Sequence, residues 1–136
     1  MKSLFPDICS DALAESKAFY VSLFGFIPVF EIDWYIQLRA PNDENVQIAF
    51  VARNHTSIPK EFQRSPQGVF VTIEVADAAA LYEEARRQDR KIVLDLRDEA
   101  WGQRHFMTVD PNGLLVDVVQ TIPPSPEFLK ENGLST

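Results

Sequence analysis

The sequence predicts an α+β fold made of two βαβββ modules. Three observations carry the expectation: an order of periodicities that occurs twice, a residue-by-residue correspondence between the two copies, and a proline-asparagine turn at the same place in each.

In the first copy a short strand is expected near Phe5–Ser10. A helix follows over ALAESKAFYVSLF, where Ala14, Ala18, Phe19 and Leu23 recur at helical spacing. Gly25 suits its C-cap. Three strands come next, at Ile27–Glu31, Trp34–Arg39 and Val46–Val51, the last two separated by the polar turn APNDEN. A polar, proline-containing connector runs from about Arg53 to Gln67. The order then repeats, with a strand at Val69–Val75, a helix at Ala78–Gln88, and strands at Lys91–Leu96, Gln103–Val109 and Leu114–Gln120, the last pair around DPNG. One alignment of the copies lays Phe5 on Phe70 and Ile8 on Ile73. A second, shifted by a short insertion between helix and hairpin, lays Pro41 on Pro111, Asn42 on Asn112 and Gln47 on Asp117. Residues 1–122 are therefore read as one domain of two repeats, at 4–52 and 68–121, with 123–136 as a C-terminal tail.

Composition narrows the function classes. A chain of 136 residues that is 46% hydrophobic has the apolar surface for one core. A net charge of −7 argues against nucleic acid and anionic membrane as partners, since both repel an acidic surface. No apolar run is long enough for a membrane span, and the start MKSLFPDICSD lacks the apolar core of a secretion signal. A cytoplasmic location is expected. The single cysteine, Cys9, has no partner for an internal disulfide and reads as a small residue packed in the first strand. The helix surface LYEEARRQDRK, with Glu83 and Glu84 near Arg86 and Arg87, reads as solvated charge.

Period two assigns the strand faces. Val69, Val71, Ile73 and Val75 form an aliphatic side that should take the helix, leaving Phe70, Thr72 and Glu74 on the opposite, concave side. Val46, Ile48 and Phe50 likewise oppose Gln47, Ala49 and Val51. In the last strand Val116 and Val118 oppose Leu115, Asp117 and Val119, so Asp117 faces away from the helix. A carboxylate buried there without a partner would cost several kcal/mol, so it must meet a polar group or water. Pro111 cannot adopt positive φ, which makes DPNG a type I turn with Gly113 in the left-handed region. That register sets Met107 opposite Asp117 and His105 opposite Val119, and places His105, Met107 and Gln103 on the side of Asp117.

The paired βαβββ order, the helix segment SKAFYVSLFGF and the closing segment WGQRHFMTVDPNGLLVDVVQ together resemble the vicinal oxygen chelate superfamily. That superfamily takes in glyoxalase I, fosfomycin-resistance proteins, extradiol dioxygenases and bleomycin-resistance proteins, and the resemblance covers residues 4 to 121. It implies a curved half-barrel sheet with helices on the convex side, a ligand in the cavity, and a homodimer. It also implies four side chains around a divalent metal in the enzymes of the family, at places that fall here on Phe5, Gln47, Phe70 and Asp117. Phenylalanine has no lone pair to donate, so Phe5 and Phe70 remove two of the four, and the remaining Gln and Asp make too small a set. Of the two histidines, His55 falls in the connector as a solvated loop residue, and His105 has no second histidine to match it.

The resemblance is thus nearest to the metal-free, bleomycin-resistance type of member. It implies a binding protein that sequesters an aromatic or cationic organic molecule, with no cofactor. The candidate ligand-binding residues are Phe5, Trp34, Tyr35, Gln47, Phe70, Glu74, Trp101, His105, Met107 and Asp117, with Asp7, Glu74 and Asp117 as acidic anchors. Two alternatives stay open. One is a metal-dependent lyase or dioxygenase, its divalent metal held by Gln47, Asp117 and His105 with waters, or metal-free acid–base catalysis by Asp117 and His105. The other is a dimeric scaffold whose cavity is filled by Phe5 and Phe70, with Trp34 and Trp101 packing at loops or an interface.

Overall fold

The computed structural model describes residues 1–135. The chain divides into two compact units, the first made of Met1–Val69 with Asp110–Leu114 and the second of Phe70–Val109 with the chain from Leu115 onward. Each contains one βαβββ module, so the α+β class is observed.

The first unit runs β1 (Asp7–Ser10), α1 (Leu13–Phe24), β2 (Ile27–Ile32), β3 (Tyr35–Ala40) and β4 (Asp43–Ala52). Its sheet has the order β1-β4-β3-β2, with β1 parallel to β4 and the other pairs antiparallel. Strand β1 is shorter than the sequence predicts, and Phe5 precedes it. Proline 6 has no N–H to give to a ladder, and pairing begins where its carbonyl accepts from Ala49 N–H at 3.0 Å. Along β3 buried Ile36, Leu38 and Ala40 alternate with half-buried Tyr35, Gln37 and Arg39, so one face of the sheet is apolar and receives α1.

Helix α1 ends at Gly25, whose φ of 73° lets its N–H reach Val21 O and Phe26 N–H reach Tyr20 O. Its buried face is the expected one only in part: Phe19 and Leu23 are buried, but Ala14 and Ala18 are exposed and Ser16 and Tyr20 are buried in their place. Each large side chain buried there is worth about 1.5–3 kcal/mol. Ser16 can join them because its hydroxyl is satisfied, donating to Ala12 O at 2.6 Å and accepting from Asn112 Nδ2 at 2.9 Å.

The second unit runs β5 (Phe70–Glu74), α2 (Ala78–Arg87), β6 (Ile92–Glu99), β7 (Gln103–Val109), β8 (Leu115–Thr121) and α3 (Pro126–Glu131). Its sheet order, β5-β8-β7-β6, repeats the first, with β5 parallel to β8. Asp77 caps α2 by accepting from Ala80 N–H at 3.0 Å. The tail folds into α3 with Ser125 as its cap and Leu129 buried. The turn between β7 and β8 closes through Gly113 N–H to Asp110 O at 3.1 Å, with Gly113 at φ 79°. Met107 accordingly stands opposite Asp117, and His105 opposite Val119. Among the described residues no helix is long and apolar enough to cross a membrane.

Candidate functional site

The first unit holds an open pocket of about 600 Å³ on the face of its sheet away from α1. Asp7 of β1, Phe30 and Ile32 of β2, Trp34 in the following turn, Tyr35 of β3 and Val51 of β4 line it. Ser57 and Ile58 come from the connector. The register explains the convergence. Tyr35 pairs with Val51 and Asp7 with Ala49, so side chains two residues apart on three adjacent strands point the same way. Phe30 and Tyr35 rings lie 6.1 Å apart at 58°, and Trp34 and Tyr35 rings 5.9 Å apart at 62°. One face of Trp34 is covered by His55, stacked 3.6 Å away at 6°. The Tyr35 phenol is pushed up to about 12, first by burial and then by the charge and hydrogen bond of Asp7, and so stays a neutral hydroxyl.

Of the residues singled out from the sequence, Trp34, Tyr35 and Asp7 line this pocket. Phe30, Ile32, Val51, Ser57 and Ile58 were missed. Phe5 is half-buried ahead of β1 and is not in the lining. Gln47 spends its side chain on neighbours, accepting from Gln37 and donating to Glu44 O at 2.7 Å.

The second unit gathers the other candidates differently. Asp117 is buried at 6% exposure, and its Oδ1 accepts from His105 Nδ1 at 2.7 Å. The other ring nitrogen donates to Glu99 Oε2 at 2.8 Å, which also accepts from Arg97 Nε at 2.8 Å. With acceptors on both sides, the ring satisfies both contacts only as imidazolium. Burial opposes that charge, but hydrogen bonds to Glu99 and Asp117, with their charges, outweigh it and raise the His105 pKa. The same contact to His105, and then that of Arg97, hold the Glu99 carboxyl below its ordinary value. Asp117 therefore meets a charged histidine rather than hydrocarbon. Glu99 is the partner that sequence reasoning missed: it lies diagonally across the β6–β7 ladder, where Arg97 stands opposite His105.

Four further candidates belong to this unit. Phe70 is 51% exposed and sits beside Leu115, while Thr72, not Phe70, sits beside Asp117. This corrects the alignment of repeats by two positions, in a register fixed by Val75 N–H on Val119 O at 2.8 Å. Exposed Glu74 accepts from the Thr121 hydroxyl at 2.7 Å, and exposed Trp101 donates its indole N–H to Gln103 Oε1 at 2.8 Å. Met107 is half-buried beside Asp117.

These side chains do not suit a divalent metal at the four family positions. Phe5 and Phe70 offer no lone pair, the Gln47 amide and Asp117 Oδ1 are engaged, and both nitrogens of His105 are taken by carboxylates. Among the described residues no three His, Cys, Asp or Glu are grouped to hold a metal ion.

No curated protein matches the chain in sequence. Among solved structures it is similar to the bleomycin resistance determinant encoded on the transposon Tn5, at 20% identity over 89% of this chain and 98% of that one, with a TM-score of 0.64. It is similar to TnmS3, an antibiotic binding protein from Streptomyces sp. CB03234, at 18% identity over 89% and 96%, with a TM-score of 0.67. Lactoylglutathione lyase from Agrobacterium tumefaciens is similar at 14% identity over 86% and 91%, with a TM-score of 0.71. At these identities the likeness is one of fold. The sequence also matches the family model of the Glyoxalase/Bleomycin resistance protein/Dioxygenase superfamily over residues 5–118, and the chain belongs to that superfamily.

Proposed function

We propose that the protein binds a flat organic molecule in the pocket of its first unit, without a metal and without transforming it. The observation that carries the reading is the lining itself, three aromatic rings and three aliphatic side chains with a few polar groups, in a volume suited to a small organic ligand. Inclined rings present π-faces to a guest, where packing and exclusion of water provide most of the affinity. Phe5 does not line that space, which favours a binder over a scaffold with its hollow plugged by that ring. Two of the four family positions, Phe5 and Phe70, lack a donor atom and the other two, Gln47 and Asp117, have theirs engaged, which favours it over a metal-dependent lyase or dioxygenase. Two proteins of similar structure, a bleomycin resistance determinant and an antibiotic binding protein, agree with a sequestering role.

The reading takes the working form as a cytoplasmic homodimer. The exposed apolar side chains Ile27 and Val29 on edge strand β2 support the dimer, and size-exclusion chromatography tests it. The binding role is tested by titrating a panel of flat aromatic compounds, in the presence of a chelator, against the fluorescence of Trp34. Saturable binding is expected. Stoichiometric metal copurifying with the protein, with binding or turnover lost on chelation, overturns the reading.

A further inference from the structure

We infer that the guest of the first-unit pocket is an organic cation, an aryl or alkyl ammonium, seated among Phe30, Trp34 and Tyr35 with Asp7 as its counter-charge. The inference rests on the small-molecule reading above and adds the charge of the ligand.

Asp7 is the one charged residue in the lining. Among the described residues no Lys or Arg forms an ion pair with it. Within the same unit Arg53 is held by Asp11 at 2.8 Å and Lys17 by Glu31 at 2.8 Å. Tyr35, the polar neighbour of Asp7, stays a neutral hydroxyl and cancels none of its charge. A neutral guest without a hydrogen-bond donor would cover that carboxylate and strip it of water with nothing in return, and an anionic guest would be repelled. A cation gains the carboxylate and, in addition, the electron-rich faces of rings set at 58° and 62° to one another, walls of a box rather than a single stack. The net charge of −7 gives the whole chain a field that draws cations toward it. Tyr35 and Asp7 thus fix where the charged end of the guest lies, and Trp34, backed by His55, receives its flat part.

The test uses phenyltrimethylammonium and its uncharged isostere tert-butylbenzene, titrated at constant ionic strength against a Trp101→Phe protein in which Trp34 is the remaining tryptophan. The cation is expected to bind about tenfold more tightly than the hydrocarbon. Asp7→Asn should remove most of that preference, weakening the cation and relieving the desolvation that disfavours the hydrocarbon. Equal affinities in the Asp7 protein, or a preference for benzenesulfonate over the cation, overturn the inference while leaving a small-molecule binder standing. Absence of saturable binding by all three probes overturns the inference and the binding role together. The comparison of probes on the Asp7 protein stands whether or not the Asn variant folds.

Discussion

The Tyr20 hydroxyl donates a 2.8 Å hydrogen bond to Asp110 Oδ2, joining positions 90 residues apart within the first unit. Asp110 is itself buried, and its Oδ1 accepts from Asn112 N–H at 2.8 Å and Leu114 N–H at 3.0 Å. The Asn112 side chain continues the network to Ser10 and Ser16. Burial above all, and then the Asp110 charge, push the Tyr20 phenol far up, so it remains a donor across the working pH range.

Tyr20→Phe should therefore lower stability by about 1–3 kcal/mol, the cost of leaving a buried carboxylate oxygen short of a strong donor. Asp110→Asn should cost at least as much, because it weakens the two turn contacts as well. Urea unfolding measures both. A Tyr20→Phe midpoint equal to that of the native protein would show that the bond contributes nothing net.

His105 sets the pH dependence. Its pKa is raised in the folded state from an ordinary value of about 6.5. The folded state therefore holds the proton more tightly than the unfolded one, and the stabilisation is fully present below about pH 6.5. It is lost as pH rises through the folded pKa. Glu99 works in the other direction: its lowered pKa stabilises the fold above the ordinary carboxyl value, and that contribution is lost as pH falls through the folded pKa. Between these limits the pair is at full strength. Denaturation of His105→Gln and the native protein from pH 5 to 9 should give a stability gap that is largest at the acid end and narrows toward pH 9. A gap independent of pH would contradict an imidazolium between Glu99 and Asp117.

Much of this was legible in the sequence, and the limits have physical causes. Strand β3 announces its faces because strict alternation places Ile36, Leu38 and Ala40 on one side. The turn at Asp110–Gly113 fixes the β7–β8 register because proline locks φ to negative values and glycine takes, without strain, the positive φ that the turn needs. Asp117 was found for the same reason, as a charge on a buried face. By contrast, β2 reads as an apolar strand but is exposed throughout, since composition does not reveal that a strand stands at a sheet edge. Ser57 and Ile58 reach the pocket from a connector with no period to read. Glu99 escaped because a diagonal neighbour is visible only once the bulged β6–β7 register is known. Ser16, polar on a buried helix face, is compensated by Asn112, far along the chain.

Gly102 is the glycine with least room to change. Its φ is 107°, and an added Cβ would lie 2.8 Å from Ile122 O and 3.3 Å from Pro124 N, all backbone of the second unit. Gly68 also has positive φ, at 76°, but faces open space. Gly102→Ala should lower stability by several kcal/mol, combining backbone strain of about 1–3 kcal/mol with the clash. Gly68→Ala should cost only about 1 kcal/mol. Thermal unfolding of the two variants orders them, and equal losses would mean that the Ile122–Pro124 segment yields freely.

His55 should matter to binding without touching a guest. It is not a lining residue, yet it stacks against Trp34 at 3.6 Å and is held by Ser57, whose N–H meets its Nδ1 at 3.1 Å. Trp34 is 36% exposed and its ring packs against Tyr35 and His55, so the imidazole plane restricts its rotamers before a ligand arrives. Immobilising such a side chain on binding costs about 0.5–1.5 kcal/mol, a cost the stack has already met. His55→Ala should then weaken binding of phenyltrimethylammonium roughly 2- to 10-fold. Fold stability should change by less than about 0.5 kcal/mol, as at other surface positions. Fluorescence anisotropy of Trp34 in the free protein should fall as the ring gains freedom. An unchanged affinity, with anisotropy lowered, would mean that the order of Trp34 does not limit binding; an unchanged anisotropy would mean that the stack does not hold the ring.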